Sequence, residues 1–296
     1  MDKQPWKVSL HGGHSAAYCD HAADPLRALL EAAVARGFST YGVTEHAPRL
    51  GALYLFRNEI ALGWDVAKIA RDFDQYCEDI TPLAEEFGGR LAVLRGFEVE
   101  VVPEDGYVEV MRAFRARPCF DFCVGSVHFL EGFLLDGEPD LFDRAVEACG
   151  GLEPLAVKYY AKVAEMVAAL EPEVVAHLDI IRRNGQRRGP LDTPPIRAAA
   201  RKALEVVRDC GCILEVNTST YRKGIEPPFP APWLVRAAHD LGIPLSFGDD
   251  SHAVAHVGAG IEQARRYLLE NGVGVIATLA KDAGKLTHRT ISLDAK

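Results

Sequence analysis

The chain has 296 residues, of which 48% are hydrophobic and 25% are charged, a composition typical of a globular protein with a full-sized core. This composition excludes a collagen, a coiled coil and an intrinsically disordered chain. The 33 Lys and Arg residues are outnumbered by 42 Asp and Glu residues, and the net charge of -9 disfavours binding to nucleic acid or to an anionic membrane.

No apolar run is long enough for a signal peptide or a membrane-spanning helix, and we expect a cytoplasmic protein. The seven cysteines are an odd number and contain no CxxC pair, which is typical of a reducing compartment and predicts no disulfide framework. Cys210 and Cys212 form a CxC that we interpret as two small buried residues, because no second cysteine pair accompanies it.

Short apolar runs alternate with segments of helical period along the whole chain. The runs predicted as strands span 8–10, 40–43, 91–97, 120–127, 174–176, 213–216 and 243–247. The predicted helices span 25–36, 66–87, 155–170, 195–210, 232–241 and 261–271. The alternation predicts βα units around a parallel sheet, in one domain that covers residues 1–296.

Polar side chains suited to metal binding or acid–base chemistry stand at or just beyond the ends of these strands. They are His11, His14, His21, Glu45, His46, Glu98, His128, His177, Asp179, Asn217, Asp249, Asp250 and His252. Because the carboxyl ends of parallel strands meet at one rim of an α/β fold, we expect these groups to converge there.

The number of histidines and acids at this rim exceeds the roughly three to five ligands that one ion takes, which predicts two or three divalent metals. Imidazole and carboxylate together suit zinc, iron or manganese. Glu98 is the best candidate for a bridging ligand, because it follows the longest strand and Gly96 allows the backbone to approach the site. Glu100 would share the same face of the strand if the strand continued.

Metals about 3.5–4 Å apart can bind a phosphoryl oxygen and activate a water, so a phosphate ester is a suitable substrate. Basic residues follow the same strands, and Arg49, Arg182 and Arg222 are the candidates for holding the phosphate.

In order and spacing, these motifs resemble the polymerase and histidinol phosphatase (PHP) superfamily, within it the histidinol-phosphate phosphatase branch, from His11 to about Gly258. The matching segments are 14–15 with 18–21, 43–49, 96–98, 125–128, 176–179, 217–219 with 222–223, and 250–252. They contain His14, His21, Glu45, His46, Arg49, Glu98, His128, His177, Asp179, Asn217, Arg222, Asp250 and His252. The resemblance implies a distorted TIM-like (β/α)7 barrel with a trinuclear metal centre.

The resemblance also implies how the ligands divide among three metals, with Glu98 and Asp250 as the catalytic carboxylates. The first metal would take His11 or His14 with Glu98 and Asp250. The second would share Glu98 and add His128 and His177. The third would use His21, His46 and His252. The phosphate would be held by Arg182 and Arg222.

The first motif departs from the family pattern, which has two histidines separated by one residue where this chain has His11 and His14 separated by two glycines. Residues three apart in a regular strand do not share a face, so both histidines can reach one metal only through a bulge or turn. Both histidines are kept as ligands. His14 fits the family pattern better than His11, because its spacing to Ser15 and His21 is the spacing of the family motif. Glu45 replaces the family's Asp and is expected to support the site without binding metal.

The function implied is hydrolysis of L-histidinol phosphate to histidinol and phosphate in histidine biosynthesis, with a metal-bound hydroxide as nucleophile. Other PHP phosphoesterases, acting on nucleotides, cyclic phosphodiesters or aryl phosphates, are an alternative, and substrate choice is expected to lie in segments 50–64 and 131–150. A non-catalytic metal-binding module is a second alternative, because the first motif is altered. An amidohydrolase is a third, but no Lys ends a predicted strand. We expect a small phosphorylated substrate and leave the oligomeric state open.

Overall fold

The computed structural model describes residues 4–282 and 284–294. Its strands are β1 (Val8–Ser9), β2 (Thr40–His46), β3 (Ala92–Glu98), β4 (Phe122–Gly125), β5 (Phe129–Leu130), β6 (Phe133–Leu134), β7 (Val174–Val175), β8 (Ile213–Asn217), β9 (Leu245–Gly248), β10 (Val275–Asp282) and β11 (Lys285–Ser292). Residues 1–3, 283 and 295–296 of the predicted single domain lie outside the described residues.

Helices connect the strands. They are α1 (Leu26–Ala35), α2 (Arg57–Ala61), α3 (Val66–Phe87), α4 (Tyr107–Arg115), α5 (Pro139–Ala148), α6 (Leu152–Leu170), α7 (Arg182–Gly185), α8 (Pro194–Asp209), α9 (Ser219–Arg222), α10 (Pro232–Asp240) and α11 (Ile261–Glu270). No helix within the described ranges is long and apolar enough to cross a membrane.

Seven strands form one parallel sheet in the order β1-β2-β3-β4-β7-β8-β9. The sheet curls until its two edges meet, where Leu10 N donates to Phe247 O at 2.8 Å and Asp250 N donates to His11 O at 2.9 Å. The predicted distorted (β/α)7 barrel is therefore confirmed. Register then places the site: His46, the last residue of β2, pairs with Glu98, the last residue of β3.

The barrel interior is closed at the opposite end by the antiparallel hairpin β10–β11. Ala277 and Leu279 of β10 join a buried cluster with Leu10, Leu94 and Phe122, among other inward-facing residues of the barrel strands. Apolar packing at this end leaves the carboxyl-terminal rim as the end at which polar side chains collect.

A disulfide joins Cys77 on α3 to Cys119 in the segment that leads into β4. The prediction of no disulfide framework is therefore wrong at this pair, although Cys19, Cys123, Cys149, Cys210 and Cys212 are free. The two cysteines are 42 residues apart in sequence, and the packing of α3 beside the sheet brings their Cα atoms to 5.6 Å. Spacing alone could not reveal the pair, because connectivity is set by the tertiary fold.

Candidate metal centre

Histidines and acids from six barrel strands meet at the carboxyl-terminal rim. Their ligand atoms form four overlapping groups, in each of which all the atoms lie within 4.8 Å of one another. The groups are His11, His14 and Glu98; His14, Asp250 and His252; Glu98, His128 and His177; and Cys19, His21, His46 and His252. The structure thus brings together every residue that the sequence nominated as a metal ligand.

The irregular first motif reaches the site through a tight turn after β1. Gly13 has a positive φ of 74°, and a Cβ on Gly12 would collide with the carboxylate of Asp249. Glycine avoids both the strain and the collision. The turn presents His11 and His14 to the same side, with ring centroids 5.6 Å apart. Two intervening glycines in a turn therefore place both histidines on the same side, as a single intervening residue does in a regular strand.

Glu98 lies at the middle of the site. Its Oε1 is 3.1 Å from His177 Nε2 and 3.4 Å from His128 Nε2, and its Oε2 is 2.8 Å from His46 Nδ1. Burial favours the neutral acid, but the surrounding imidazoles outweigh burial and hold the pKa of Glu98 well below its usual value. Glu98 is consequently ionised at neutral pH, and each of its two carboxylate oxygens faces ligand histidines. A carboxylate that bridges two metals needs both properties.

Asp250 faces the first motif from the end of β9. Its Oδ1 is 3.7 Å from His14 Nε2 and 3.5 Å from His252 Nδ1. Burial again favours the neutral acid, yet His11, Lys223 and the nearby imidazoles place the pKa of Asp250 well below its usual value. The site therefore contains two ionised carboxylates among its histidines.

Two buried glutamates orient ligand imidazoles. Glu215 Oε1 lies 2.9 Å from His11 Nδ1, and Glu100 Oε1 lies 2.9 Å from His128 Nδ1. Burial lowers the pKa of His128, but Glu100 and Glu98 raise it to about 10. Each glutamate holds one ring nitrogen and leaves Nε2 directed to the centre, the usual arrangement around metal-bound histidine. Glu100 thus supports His128 and does not share the bridging position of Glu98.

Glu45 supports His14, in agreement with its expected role. Its Oε1 lies 3.5 Å from His14 Nδ1, and its Oε2 accepts a hydrogen bond from Ser15 N at 3.0 Å. Asp179 does not contact His177: its Oδ2 accepts from Arg182 Nε and from Ala231 N. Asp179 therefore organises the loop after β7.

Many imidazole nitrogens at the rim are buried and have no hydrogen-bond partner. They are His11 Nε2, both nitrogens of His14, both nitrogens of His46, His177 Nδ1 and His252 Nε2. Buried polar atoms are normally paired, since an unpaired one costs free energy. Imidazole nitrogens and carboxylates are the ligands that divalent zinc, iron and manganese accept. The residues present therefore fit the two to three divalent metals that the sequence predicted.

A cavity of about 370 Å³ opens above these groups and is lined on one side by Arg183, Arg222 and Lys223. Arg222 is fixed by hydrogen bonds from its two terminal nitrogens to the carbonyl oxygens of Asp249 and Asp250, at 2.7 and 2.9 Å. Three cations thus face the ligand groups, although the whole chain is acidic.

Two of the three predicted phosphate-binding arginines do not line this cavity. Arg182 is buried and donates to Asp179 and to the carbonyl oxygens of Pro227 and Pro228. Arg183, one residue later on α7, lines the cavity instead, because consecutive residues of a helix point about 100° apart. The structure corrects the prediction for Arg182.

Arg49 differs from the prediction in the same way. It is 2% exposed, pairs with Glu59 and lies 3.8 Å from the ring centroid of Phe56. Its charge is already paired inside the segment that precedes α3, so Arg49 supports that segment and is not placed to bind phosphate.

A parallel barrel with four overlapping groups of metal-type ligands at one rim is typical of a protein that holds several divalent metals. The family model described as the PHP domain matches residues 11–219, more than half of the chain, and the chain belongs to this family. A histidinol-phosphatase of Bacillus subtilis is 29% identical over 258 residues, which cover 83% of this chain and 94% of the relative. A histidinol-phosphatase of Saccharomyces cerevisiae is 26% identical over 294 residues and 88% of each chain.

Among solved structures, a histidinol phosphate phosphatase of Lactococcus lactis, crystallised with zinc, L-histidinol and phosphate, matches with a TM-score of 0.72. The alignment covers 95% of this chain and 99% of that chain at 19% sequence identity. At this identity the likeness shows a shared fold.

Proposed function

We propose that this chain hydrolyses L-histidinol phosphate to L-histidinol and inorganic phosphate, a reaction of histidine biosynthesis. The observation that carries the proposal is a pair of adjacent cavities at the rim that share part of their lining. One cavity, the cationic end, combines the metal ligands with three cations, and the other, the wider cavity of about 490 Å³, adds apolar walls and the carboxylate of Glu138. The two share His21, His46, His128, Asp136 and Arg183.

The cationic end suits the phosphate group of the substrate. Arg222 is held rigidly by two backbone carbonyls, while Arg183 and Lys223 line the same cavity. Charge-assisted contacts from these groups offset the dianionic charge of a phosphate monoester. Divalent metals held by the rim residues would polarise a phosphoryl oxygen and lower the pKa of water.

The wider cavity suits the organic half of the substrate. Phe56, Leu134 and Pro139 supply apolar surface, and Glu138 supplies negative charge. Asp136 also lines this cavity and accepts a hydrogen bond from Arg183 at 3.4 Å. Histidinol carries an amine and an imidazole ring, so it presents a cation and a flat surface to such walls. These residues come from segments 50–64 and 131–150, where substrate choice was expected.

The proposal also accounts for the alternatives. A nucleotide would bring further negative charge against Asp20, Asp136 and Glu138, and an aryl phosphate lacks a cation to pair with them.

Curated relatives from a bacterium and a yeast are named histidinol-phosphatase. A non-catalytic module would have no need of cations beside the metal ligands. The cytoplasmic location remains a prediction.

The test is phosphate release by the metal-reconstituted protein from a panel of monoesters that contains L-histidinol phosphate, p-nitrophenyl phosphate and nucleoside monophosphates. We expect kcat/KM for histidinol phosphate to exceed kcat/KM for each of the other esters by about 100-fold or more. This ratio corresponds to a difference of about 2.7 kcal/mol in activation free energy. Glu138→Gln should reduce this preference, and Glu147→Gln, on the exposed face of α5, is the matched control. A faster reaction with a nucleotide or aryl phosphate would overturn the assignment.

A further inference from the structure

The fourth group of ligand atoms contains a cysteine that the sequence prediction did not use. Cys19 is 5% exposed, and its Sγ lies in one cluster with nitrogens of His21, His46 and His252. Cys19 does not follow a predicted strand, so the rule that strand ends meet at one rim could not identify it. The turn formed by residues 15–21 places its thiol at the rim.

The three imidazoles of this group each have one nitrogen beside an oxygen atom. His21 Nδ1 is 2.8 Å from Asp20 Oδ1, His46 Nδ1 is 2.8 Å from Glu98 Oε2, and His252 Nδ1 is 2.9 Å from Asp250 O. The contacts of His21 and His252 are hydrogen bonds that leave Nε2 for another partner, and His252 Nε2 and both nitrogens of His46 have none. His21 and His252 are therefore prepared as Nε2 ligands, and His46 has an unpartnered nitrogen to offer.

The thiol stands at a distance that fits a shared metal. Cys19 Sγ is 3.6 Å from His21 Nε2 and 3.3 Å from His21 Nδ1, the nitrogen that also contacts Asp20. A tetrahedral zinc with bonds of about 2.3 Å to sulfur and about 2.05 Å to nitrogen places Sγ and Nε2 about 3.6 Å apart. One sulfur and three nitrogens make the four ligands that such a geometry needs.

We propose that Cys19 is the fourth ligand of the metal held by His21, His46 and His252, and that it binds as a thiolate after giving its proton to solvent. The inference rests on the proposed multinuclear function. A thiolate is a soft ligand, so this position selects zinc, cobalt or cadmium over manganese and magnesium. The position that contains Cys19 then differs in metal preference from the other two positions, whose ligands are only imidazoles and carboxylates.

The test uses cobalt as an optical probe of the full-length, metal-free protein. Titration of the wild-type protein with Co²⁺ should produce a thiolate-to-cobalt charge-transfer band in the near ultraviolet that saturates at one thiolate per chain. Cys19→Ser should lose at least nine-tenths of this band but keep the visible cobalt absorption of the other positions. Cys123→Ser, which removes another buried free thiol, is the control and should keep the band.

A second measurement needs no variant. Zinc X-ray absorption of the zinc-loaded wild-type protein should contain a sulfur neighbour at about 2.3 Å. Bound cobalt without the band, or zinc without the sulfur neighbour, would overturn the role of Cys19 and leave the proposed hydrolysis intact. A band in a protein that hydrolyses no phosphate ester would overturn the hydrolysis alone. A protein that binds neither metal would overturn both.

Discussion

His11 Nδ1 lies 2.9 Å from Glu215 Oε1, and both side chains are completely inaccessible to solvent. Glu215 Oε2 also accepts a hydrogen bond from His177 N at 2.7 Å. One carboxylate on β8 therefore fixes the ring of the ligand candidate that follows β1 and the backbone of the ligand candidate that follows β7. Burial lowers the pKa of His11, but Glu215 and Glu98 raise it well above its usual value.

Glu215→Gln should weaken metal binding by about ten- to a hundredfold, because the ring of His11 loses its charged partner while the shape of the site is kept. Metal content after dialysis against a graded chelator measures the effect. Glu205→Gln on α8, distant from the rim and partly exposed, is the control. Unchanged metal retention in Glu215→Gln would mean that Glu215 serves only the fold.

Glu98→Gln should lower kcat by several orders of magnitude with little change in folding. The amide keeps the size of the side chain but removes the charge that faces His46, His128 and His177. Initial rates with histidinol phosphate, together with circular dichroism of the same sample, measure both effects. Near wild-type turnover would show that the bridging ligand lies elsewhere.

His14→Ala should remove more metal than His11→Ala. His14 belongs to two of the ligand groups, one with His11 and Glu98 and one with Asp250 and His252, whereas His11 belongs to one. Elemental analysis of the two variants, purified in parallel, gives the ranking. Greater loss in His11→Ala would make His11 the principal ligand of the first motif.

Arg222→Lys should lower kcat/KM for histidinol phosphate by about ten- to a hundredfold, because a lysine supplies charge but cannot also hold the carbonyl oxygens of Asp249 and Asp250 as the two terminal nitrogens of Arg222 do. Arg182→Lys is the informative comparison. Its guanidinium holds the carbonyls of Pro227 and Pro228, so it should lower the free energy of unfolding more than it changes KM. The reverse pattern in steady-state kinetics and denaturant unfolding would restore Arg182 as a phosphate ligand.

Asp121→Asn should destabilise the protein by about 2 kcal/mol at neutral pH, the contribution of charge-assisted hydrogen bonds. Asp121 accepts from Arg95 Nη2 at 2.7 Å and lies 2.6 Å from Lys281 Nζ on β10. Burial raises the pKa of Asp121, but these cations outweigh burial and hold it below its usual value.

The sign of the pH effect follows from that lowered pKa. The stabilisation is present above the unfolded-state pKa of about 3.9 and is lost as pH falls through the folded-state value. The difference in unfolding free energy between wild type and Asp121→Asn should therefore shrink below about pH 4. Urea unfolding at several pH values measures it, with Asp209→Asn on the surface as control. A difference independent of pH would contradict the ion-pair interpretation.

The barrel was predictable because each of its strands is a short apolar run bounded by turn residues. α3 was predicted at 66–87 and spans Val66–Phe87, since its helical period is long and Asp65 caps it by accepting from Lys68 N. The hairpin β10–β11 escaped prediction, because β11 is largely exposed and polar and has no apolar run. Helix α4 also escaped, because it begins after Gly106 without a side-chain cap, whereas α10, of the same nine-residue length, has a proline in its first turn.

Site residues could be predicted where they follow the ends of strands. They could not be predicted where the direction of a side chain determines whether it reaches the site. The rule that strand ends meet at one rim placed Glu98, His128 and His177 in one group. It could not separate Arg182 from Arg183, which are neighbours on α7, or detect that the turn after Ser15 carries Cys19 inward. Those outcomes depend on tertiary packing.

The two-glycine turn between His11 and His14 bears on how relatives of this protein are found. A search pattern that demands two histidines separated by a single residue would pass over this chain, although the rings converge on the same carboxylate. Insertions are tolerated here as long as the added residue can take a left-handed backbone conformation without a side chain. Homologues with a lengthened first motif should therefore be judged by the glycines within it before they are classed as having lost the site.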